Sequence, residues 1–276
     1  MSKRIGRALL FLLLLGLSVI FLAPIFIILM NSFKSRFFIS DTPFAFPTAE
    51  TFAGFENYTR GLASTGFLQA FLWSLFITVF SVAAIVVFTS MTAWYITRVK
   101  NAVTKIIYYA FIFSMIVPFQ MVMFTMSKTA NSLGLDNPIG IILIYLGFGA
   151  GLSVFIFSGF VKTIPKSIEE AATIDGCGPL GTFFHVVMPL LKSTAVTVAI
   201  LQTMWIWNDY LLPYLVIGNE YKTIPIAIQY LKGGYGSVDM GAMMAMLVLA
   251  VLPVVIFYLS SQKYIIKGVA AGAVKG

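Results

Sequence analysis

Six stretches of this chain, roughly residues 8–30, 70–93, 106–126, 139–161, 190–217 and 241–262, are predominantly apolar. About 20 apolar residues are what an α-helix needs to cross the hydrocarbon core of a bilayer. In that solvent every backbone N–H and C=O must be bonded within the protein, which leaves only helices and closed barrels. The short alternating segments of a barrel do not occur. Composition agrees: 10% of residues are charged and 59% hydrophobic, against about a quarter charged in soluble domains. The sequence predicts an all-α polytopic membrane protein with about six transmembrane helices.

The net charge of +8 is spread among the loops, which suits membrane topology better than nucleic-acid binding. With the N-terminus inside, one side of the membrane holds Lys3, Arg4, Arg7, Arg98, Lys100, Lys105, Lys162, Lys166, Lys192, Lys263, Lys267 and Lys275. The other holds Lys34, Arg36, Arg60, Lys128, Lys222 and Lys232. Twelve against six is the excess expected of cytoplasmic loops. Both termini, and the polar loop Ile164–Lys192, are therefore expected in the cytoplasm.

Residues 1–30 open on Lys3-Arg4-Ile5-Gly6-Arg7, as a signal peptide would. The apolar run is long and no small-residue cleavage site follows it, so it reads as a retained signal-anchor helix. Residues 31–69 form an external segment in which Phe55-Glu56-Asn57-Tyr58 reads as an ordered cap. Residues 70–262 make one membrane domain that includes the long loop 162–192, and 263–276 form a short basic tail. Pro225 and Gly233-Gly234-Tyr235-Gly236 mark a second external loop, Gly218–Met240.

Cys177 is the only cysteine and His185 the only histidine, so an internal disulfide, a Cys/His metal cluster and a Ser/His catalytic arrangement are excluded. No metal site and no bound cofactor are expected. No G-x-x-x-x-G-K-[ST] loop is present, so this chain does not hydrolyse ATP itself. Pro24, Pro118, Pro213 and Pro253 fall inside apolar stretches and bend them, either for packing or to shape a transport cavity. Gly147, Gly149 and Gly151 suit close approach of the fourth span to a neighbour. Met240, Met243, Met244 and Met246, like Met121, Met123 and Met126, read as adaptable packing and not as a soft-metal path.

The polar loop has its own logic. Pro165 cannot continue the preceding helix, and Ser167 is placed to N-cap Ile168–Thr173. Glu169 and Glu170 then fall in the first turn, where the helix dipole favours negative charge. Ala171 and Ala172 keep one face small enough for another surface to approach. Asp175-Gly176 is a turn signal that stops the helix. Phe183, Phe184 and Val187 give a second short helix an apolar face, and Pro189 opens the next span. Read from the residues alone, this helix–turn–helix on the membrane surface is either an amphipathic connector or a docking element.

Glu170, Ala171, Ala172, Gly176 and Pro189 also follow the spacing E-A-A-x3-G-x9-I-x-L-P, with Val186 and Met188 in the two aliphatic places. The loop resembles the one through which ABC-importer permeases dock on their ATPases. Ile174-Asp175-Gly176, Trp207–Pro213, Thr223-Ile224-Pro225, Leu133–Asp136 and the tail Gly272–Gly276 are similar to the carbohydrate-uptake class, specifically the maltose-type second permease subunit. The resemblance spans nearly the whole chain. It departs at Lys192-Ser193, where a second proline is common, and at Cys177, where alanine is usual.

The resemblance implies a type-1 permease fold in a prokaryotic inner membrane and a specific set of partners. These are a second permease subunit, an ATPase dimer that uses ATP and Mg, an extracytoplasmic solute-binding protein that contacts Gly218–Met240, and a sugar. It implies that Glu170 pairs with the ATPase, that Gly176 sets the turn, and that Phe183 and Phe184 pack in the ATPase cleft. Gly272 and Lys275 of the tail would reach the same interface.

Within the membrane, Gln202, Trp205, Asn208, Asp209 and Tyr210 combine hydrogen-bonding groups with aromatic faces, as a sugar pathway requires. The same run also reads as an interfacial aromatic belt with Asp209 pairing at a helix end. Another solute, such as a polyol, glycerol phosphate or amino acid, is the alternative within the class. A secondary transporter would have only Asp209 as an ionisable coupling residue.

Overall fold

The computed structural model describes residues 2–229, 231 and 238–273, with side chains over 6–229, 231 and 238–262. The helices in chain order are α1 (Ser2–Ser32), α2 (Glu56–Thr65), α3 (Phe67–Arg98), α4 (Ala102–Ile116), α5 (Phe119–Ser132) and α6 (Pro138–Val161). After them come α7 (Lys166–Ile174), α8 (Pro179–Thr182), a π-helical turn (Phe183–Val187), α9 (Met188–Leu190), α10 (Lys192–Asn208), α11 (Leu211–Val216), α12 (Ile224–Gln229) and α13 (Met240–Ala273). Lys34 and Phe52 form an isolated antiparallel β bridge.

Gly6–Ser32, Phe67–Arg98, Pro138–Val161 and Met240–Gln262 are each long and apolar enough to cross a bilayer unbroken. Two bent pairs also meet that length and composition when each is taken together: α4 meets α5 at 107°, and Pro179–Leu190 meets α10 at 78°. The expected continuous span over 106–126 is therefore corrected to two helices. Pro118 lacks an N–H, and its ring drives Val117 out of the α region to φ −72°, ψ 116°. The expected span over 190–217 is also interrupted, because Asp209 is extended at φ −74°, ψ 126° and α11 restarts beyond it. Pro24 and Pro253 stay within continuous helices.

The chain divides into two compact units, Met1–Gln69 with Ala227–Val255, and Ala70–Ile226 with Ile256–Gly276. In the second unit α6 is the central element. Asn137 caps it by accepting from the amides of Ile139 and Gly140, with Pro138 in the first turn. α4 and α10 both pack on it. A Cβ at Gly151 would stand 2.7 Å from the Phe111 carbonyl, and one at Gly149 would stand 2.7 Å from Ile85, so both positions allow close approach. Gly147 faces open space, contrary to the expectation for it. The core around α6 joins Ile85, Tyr145, Val154, Phe157 and Val161 to Phe183, Val187, Leu191 and Val198.

In the first unit the segment after α1 is held by polar groups. Asn57 donates to the carbonyls of Ser32 and Lys34, both at 2.8 Å. The fully buried Lys34 donates through Nζ to the carbonyls of Thr42 and Ala45 at 2.6 Å, and burial pulls its pKa below the ordinary 10.5. Arg60 grips Asp239 at 2.6 Å, and Asp239 also accepts the Ala242 amide at the start of α13. Burial alone would raise the Asp239 pKa. The Arg60 hydrogen bond and charge, with the Ala242 amide, hold it below 3.8.

A carboxylate whose pKa is depressed in the folded state stabilises fully above its unfolded value, and that contribution fades as pH falls through the folded value. The Arg60–Asp239 pair should accordingly hold this unit at neutral pH and release it only in acid below about 3.8. Asp239→Asn is expected to cost about 1–3 kcal/mol at pH 7, read as faster amide exchange over residues 56–65. Unchanged exchange in that variant would show that the pair does not anchor α2.

Candidate functional site

The loop after α6 is built as a rigid hairpin. α7 begins at Lys166 with Pro165 in the N-cap position and no side-chain cap bond, so Ser167 is a first-turn residue and not the expected N-cap. That shift leaves Glu169 in the first turn and puts Glu170 beyond it. The helix ends as the Asp-Gly pair requires. The Cys177 amide bonds the Ala172 carbonyl at 2.9 Å and the Gly176 amide bonds that of Thr173 at 3.1 Å, with Gly176 at φ +87°. This crossed pair of bonds closes a helix around a left-handed residue, a role that suits glycine. No atom lies within 4 Å of where a Gly176 Cβ would sit, so the requirement is conformational and not steric.

The two glutamates separate sharply. Glu169 turns inward, where Oε1 accepts from Arg98 Nη2 at 2.6 Å and Oε2 from Trp94 Nε1 at 3.0 Å. Arg98 also donates to the Ile164 carbonyl at 2.9 Å, which ties the last turn of α3 to both ends of the α6–α7 link. The side chains of this ion pair are 15% and 12% exposed. Glu169 is thus bonded within its own chain. Glu170 and Ala171 are exposed, while Ala172 is buried.

Phe183 requires a second correction. It is fully buried, packed on Trp94 at 5.7 Å and on Phe184 at 5.0 Å between ring centroids, so it cannot offer its ring to a partner. The second short helix is also not a plain α-helix, because Phe183–Val187 widens into a π turn in which the Met188 amide bonds the Phe183 carbonyl. Pro189 follows at once; its ring would clash with the carbonyl four residues back in an α-helix, and a wider turn avoids that clash. The outward apolar residues are Ile174, Leu180, Phe184 and Ile168, which are 86%, 63%, 47% and 41% exposed. Ile174 and Leu180 were not singled out from sequence as contact residues. Their signal was present as large aliphatics in an otherwise polar loop. Pro189 is exposed.

The intramembrane run also divides. Gln202 is buried, 3% exposed, and donates to Ser153 Oγ at 3.0 Å and the Gly149 carbonyl at 3.3 Å, so it braces α10 on α6 and does not face a pathway. Asp209 accepts from the Leu211 amide at 3.0 Å and from the Tyr145 hydroxyl at 3.1 Å, which makes it the bridge across the break between α10 and α11. Trp205 packs edge-on against Tyr145 and is 39% exposed. Asn208 is exposed and donates to the Met204 carbonyl, and Tyr210 is half-buried and stacks on Tyr214. Trp205, Asn208, Asp209 and Tyr210 therefore keep surface for a ligand, and Gln202 does not. Lys275 lies outside the described residues, as does Gly233–Gly236, and of Gly272 only the helical backbone is described. No group of three or more His, Cys, Asp or Glu suited to a metal occurs among the described residues.

Known proteins share this architecture. The family described as binding-protein-dependent transport system inner membrane component matches residues 85–271. The probable starch degradation products transport system permease protein AmyC of Thermoanaerobacterium thermosulfurigenes is 40% identical over 94% of this chain and 93% of its own length. The multiple sugar-binding transport system permease protein MsmG of Streptococcus mutans is 34% identical, with 93% of each chain covered. The melibiose/raffinose/stachyose import permease protein MelC of Bacillus subtilis is 32% identical over 92% of this chain and 91% of its own length. A chain in the crystal structure of a bacterial ABC transporter involved in import of the acidic polysaccharide alginate superposes with a TM-score of 0.77. It covers 96% of this chain and 98% of that one at 23% identity, a likeness of fold.

Breaking the inward ion pair tests what holds the loop. Arg98→Met would strand a nearly buried carboxylate and is expected to cost about 3–5 kcal/mol, seen as faster amide exchange over residues 166–187. Arg98→Met/Glu169→Met should recover most of that protection. Equal exchange in the single and double variants would show that the loop is held by its other contacts.

Proposed function

We propose that this chain, which belongs to the family of binding-protein-dependent transport system inner membrane components, is a permease subunit of an ATP-driven importer of carbohydrate. The family consists of transport permeases, so the chain is a multi-pass inner-membrane transporter component and not an enzyme. The carbohydrate assignment is supported by relatives whose names specify starch products, multiple sugars and raffinose-type sugars, and which match over nearly their full length. In this reading both termini and the α7–α8 hairpin face the cytoplasm, as the distribution of lysine and arginine favours.

The observation that carries the reading is the division of labour within the hairpin. Glu169 fixes it to α3, while Glu170, Ile174, Leu180 and Phe184 project outward. An outward acid beside exposed aliphatics is the chemistry of a protein contact with one ion pair and an apolar centre. The partner is a separate ATPase dimer that uses ATP and Mg, with Gly272 and Lys275 of the tail approaching the same surface. Closure of the ATPases on nucleotide would draw the hairpin with them. The Arg98–Glu169 tie passes that displacement to α3, and the π-turn segment passes it to α10. A second permease subunit completes the pathway, and an extracytoplasmic binding protein delivers sugar near Gly218–Met240. Trp205, Asn208, Asp209 and Tyr210 are the contacts this chain offers to the sugar.

Ile174→Asp and Glu170→Lys should each abolish co-purification of the ATPase and ATP-dependent uptake, while leaving the chain folded and paired with the second permease. Asn208→Ala should change uptake and leave ATPase co-purification intact. Retention of the ATPase by both loop variants would overturn the docking role, and wild-type uptake in Asn208→Ala would remove it from the pathway.

A further inference from the structure

The segment that follows α1 in the first unit exposes phenylalanines where a cap standing in water would carry polar groups. Phe37, Phe38, Phe44 and Phe46 are 70%, 40%, 77% and 69% exposed, while Ile39 between them is turned into the core. Exposed apolar surface gathered in one place marks a contact with another protein or with a membrane. Arg36 lies at its edge, with its guanidinium 4.9 Å from the centre of the Phe37 ring.

Depth separates the two kinds of partner. The apolar run of α1 continues to Met30, and Asn31 is the first polar residue beyond it. Nδ2 of Asn31 donates back to the Ile27 carbonyl at 2.9 Å and across to the Pro43 carbonyl at 2.8 Å. Pro43 therefore sits beside the last turn of α1 and not above it. Phe46 packs edge-on against Phe26, with 6.0 Å between ring centroids. Phe26 precedes Met30 by little more than one helical turn, about 6 Å into the apolar run, and side chains on a helix lean toward its N-terminus, further in. The segment thus doubles back along α1 to the level where hydrocarbon begins.

The backbone is adjusted to that level. Irregular chain approaches hydrocarbon only when its polar groups are bonded inside the protein. Asn31 meets the carbonyl of Pro43, and Nζ of Lys34 meets those of Thr42 and Ala45, both at 2.6 Å. Lys34 is fully buried and has no ion pair among the described residues. A buried cation without a counter-charge is costly, whereas in water the exposed Thr42 and Ala45 would take their bonds from solvent. The base of the loop is closed by the Ser35 amide on the Thr51 carbonyl at 2.7 Å and the Ala53 amide on that of Phe33 at 2.8 Å.

We propose that residues 37–46 form an interfacial anchor, which inserts its phenylalanine rings at the boundary between headgroups and acyl chains of the bilayer that α1 crosses. Phenylalanine has no polar group to keep among headgroups, so its rings settle below them, with Arg36 and Asp41 left at headgroup level. Such an anchor sets the height and tilt of the helix it follows. That the leaflet is the external one rests on the topology proposed above; the insertion itself does not.

The test uses the full chain, with the subunits that co-purify with it, in nanodiscs of phosphatidylethanolamine and phosphatidylglycerol. A nitroxide is attached in turn to Phe44→Cys, Phe46→Cys and Glu50→Cys, each combined with Cys177→Ala. Collision with oxygen, which concentrates among acyl chains, should exceed collision with a water-soluble nickel chelate several-fold at the first two sites. The order should reverse at Glu50→Cys, beyond the phenylalanines. The unsubstituted chain supplies an independent reading, because a phospholipid with a diazirine near the start of its acyl chain should crosslink to residues 37–46.

Nickel access above oxygen access at Phe44→Cys and Phe46→Cys would place the loop in water and overturn the proposal. Low access of both reagents there would make the loop a contact with another subunit, which overturns it equally, as would the absence of lipid crosslinks to that stretch. Neither readout requires an ATPase or a sugar. A chain that failed to import sugar but kept the lipid signature would sink the transport reading alone.

Discussion

The absence of water from the hydrocarbon core fixes most of this structure, because every backbone group there must find a partner inside the protein. Continuous helices meet that demand unaided, as in Gly6–Ser32 and Phe67–Arg98. Where the chain breaks, specific groups take over. After Pro118, the Met121 amide bonds the Pro118 carbonyl, and between α10 and α11 the Asp209 carboxylate accepts the Leu211 amide. The Tyr145 hydroxyl donates to the other oxygen of Asp209 and anchors that break to α6. An acid inside an apolar stretch thus serves a local backbone need.

The same economy explains the hairpin. A short helix pair on a membrane surface has little apolar area to bury and would drift without a tether. Glu169 supplies one by meeting both Arg98 and Trp94, while Phe183, Val187 and Leu191 sink into the core. With the inward face so committed, the opposite face is left with Glu170, Ile174, Leu180 and Phe184. Rigidity on one side and exposure on the other are what an element needs to convey a push from a partner into the membrane helices.

Much of this was legible in the residues. Helix length and apolarity gave the number of spans, and Asp175-Gly176 gave the end of α7 with its left-handed glycine. Other features were not legible, for identifiable reasons. Pro24 and Pro118 look alike in sequence, yet α1 continues through the first while α4 and α5 part at 107° at the second. Glu169 and Glu170 are adjacent and chemically equivalent. Which one turns inward depends on the 100° step around a helix whose start the sequence misplaced at Ser167. Gln202 and Asp209 stood out in the sequence because polar groups in lipid are rare, and each is also bonded internally, Gln202 through its amide nitrogen to Ser153 and Gly149 and Asp209 to Tyr145 and Leu211.

By itself the sequence determined the class of solvent, the helical fold, the presence of a polar hairpin and its kinship, since these follow from local composition and from motifs contiguous in the chain. Tertiary structure alone decided which side of each helix is committed. The meeting of Arg98 with Glu169 joins residues 71 positions apart. Such a juxtaposition depends on how α3 and α6 pack, and packing is set by shape complementarity between helices, which no local pattern of residues encodes.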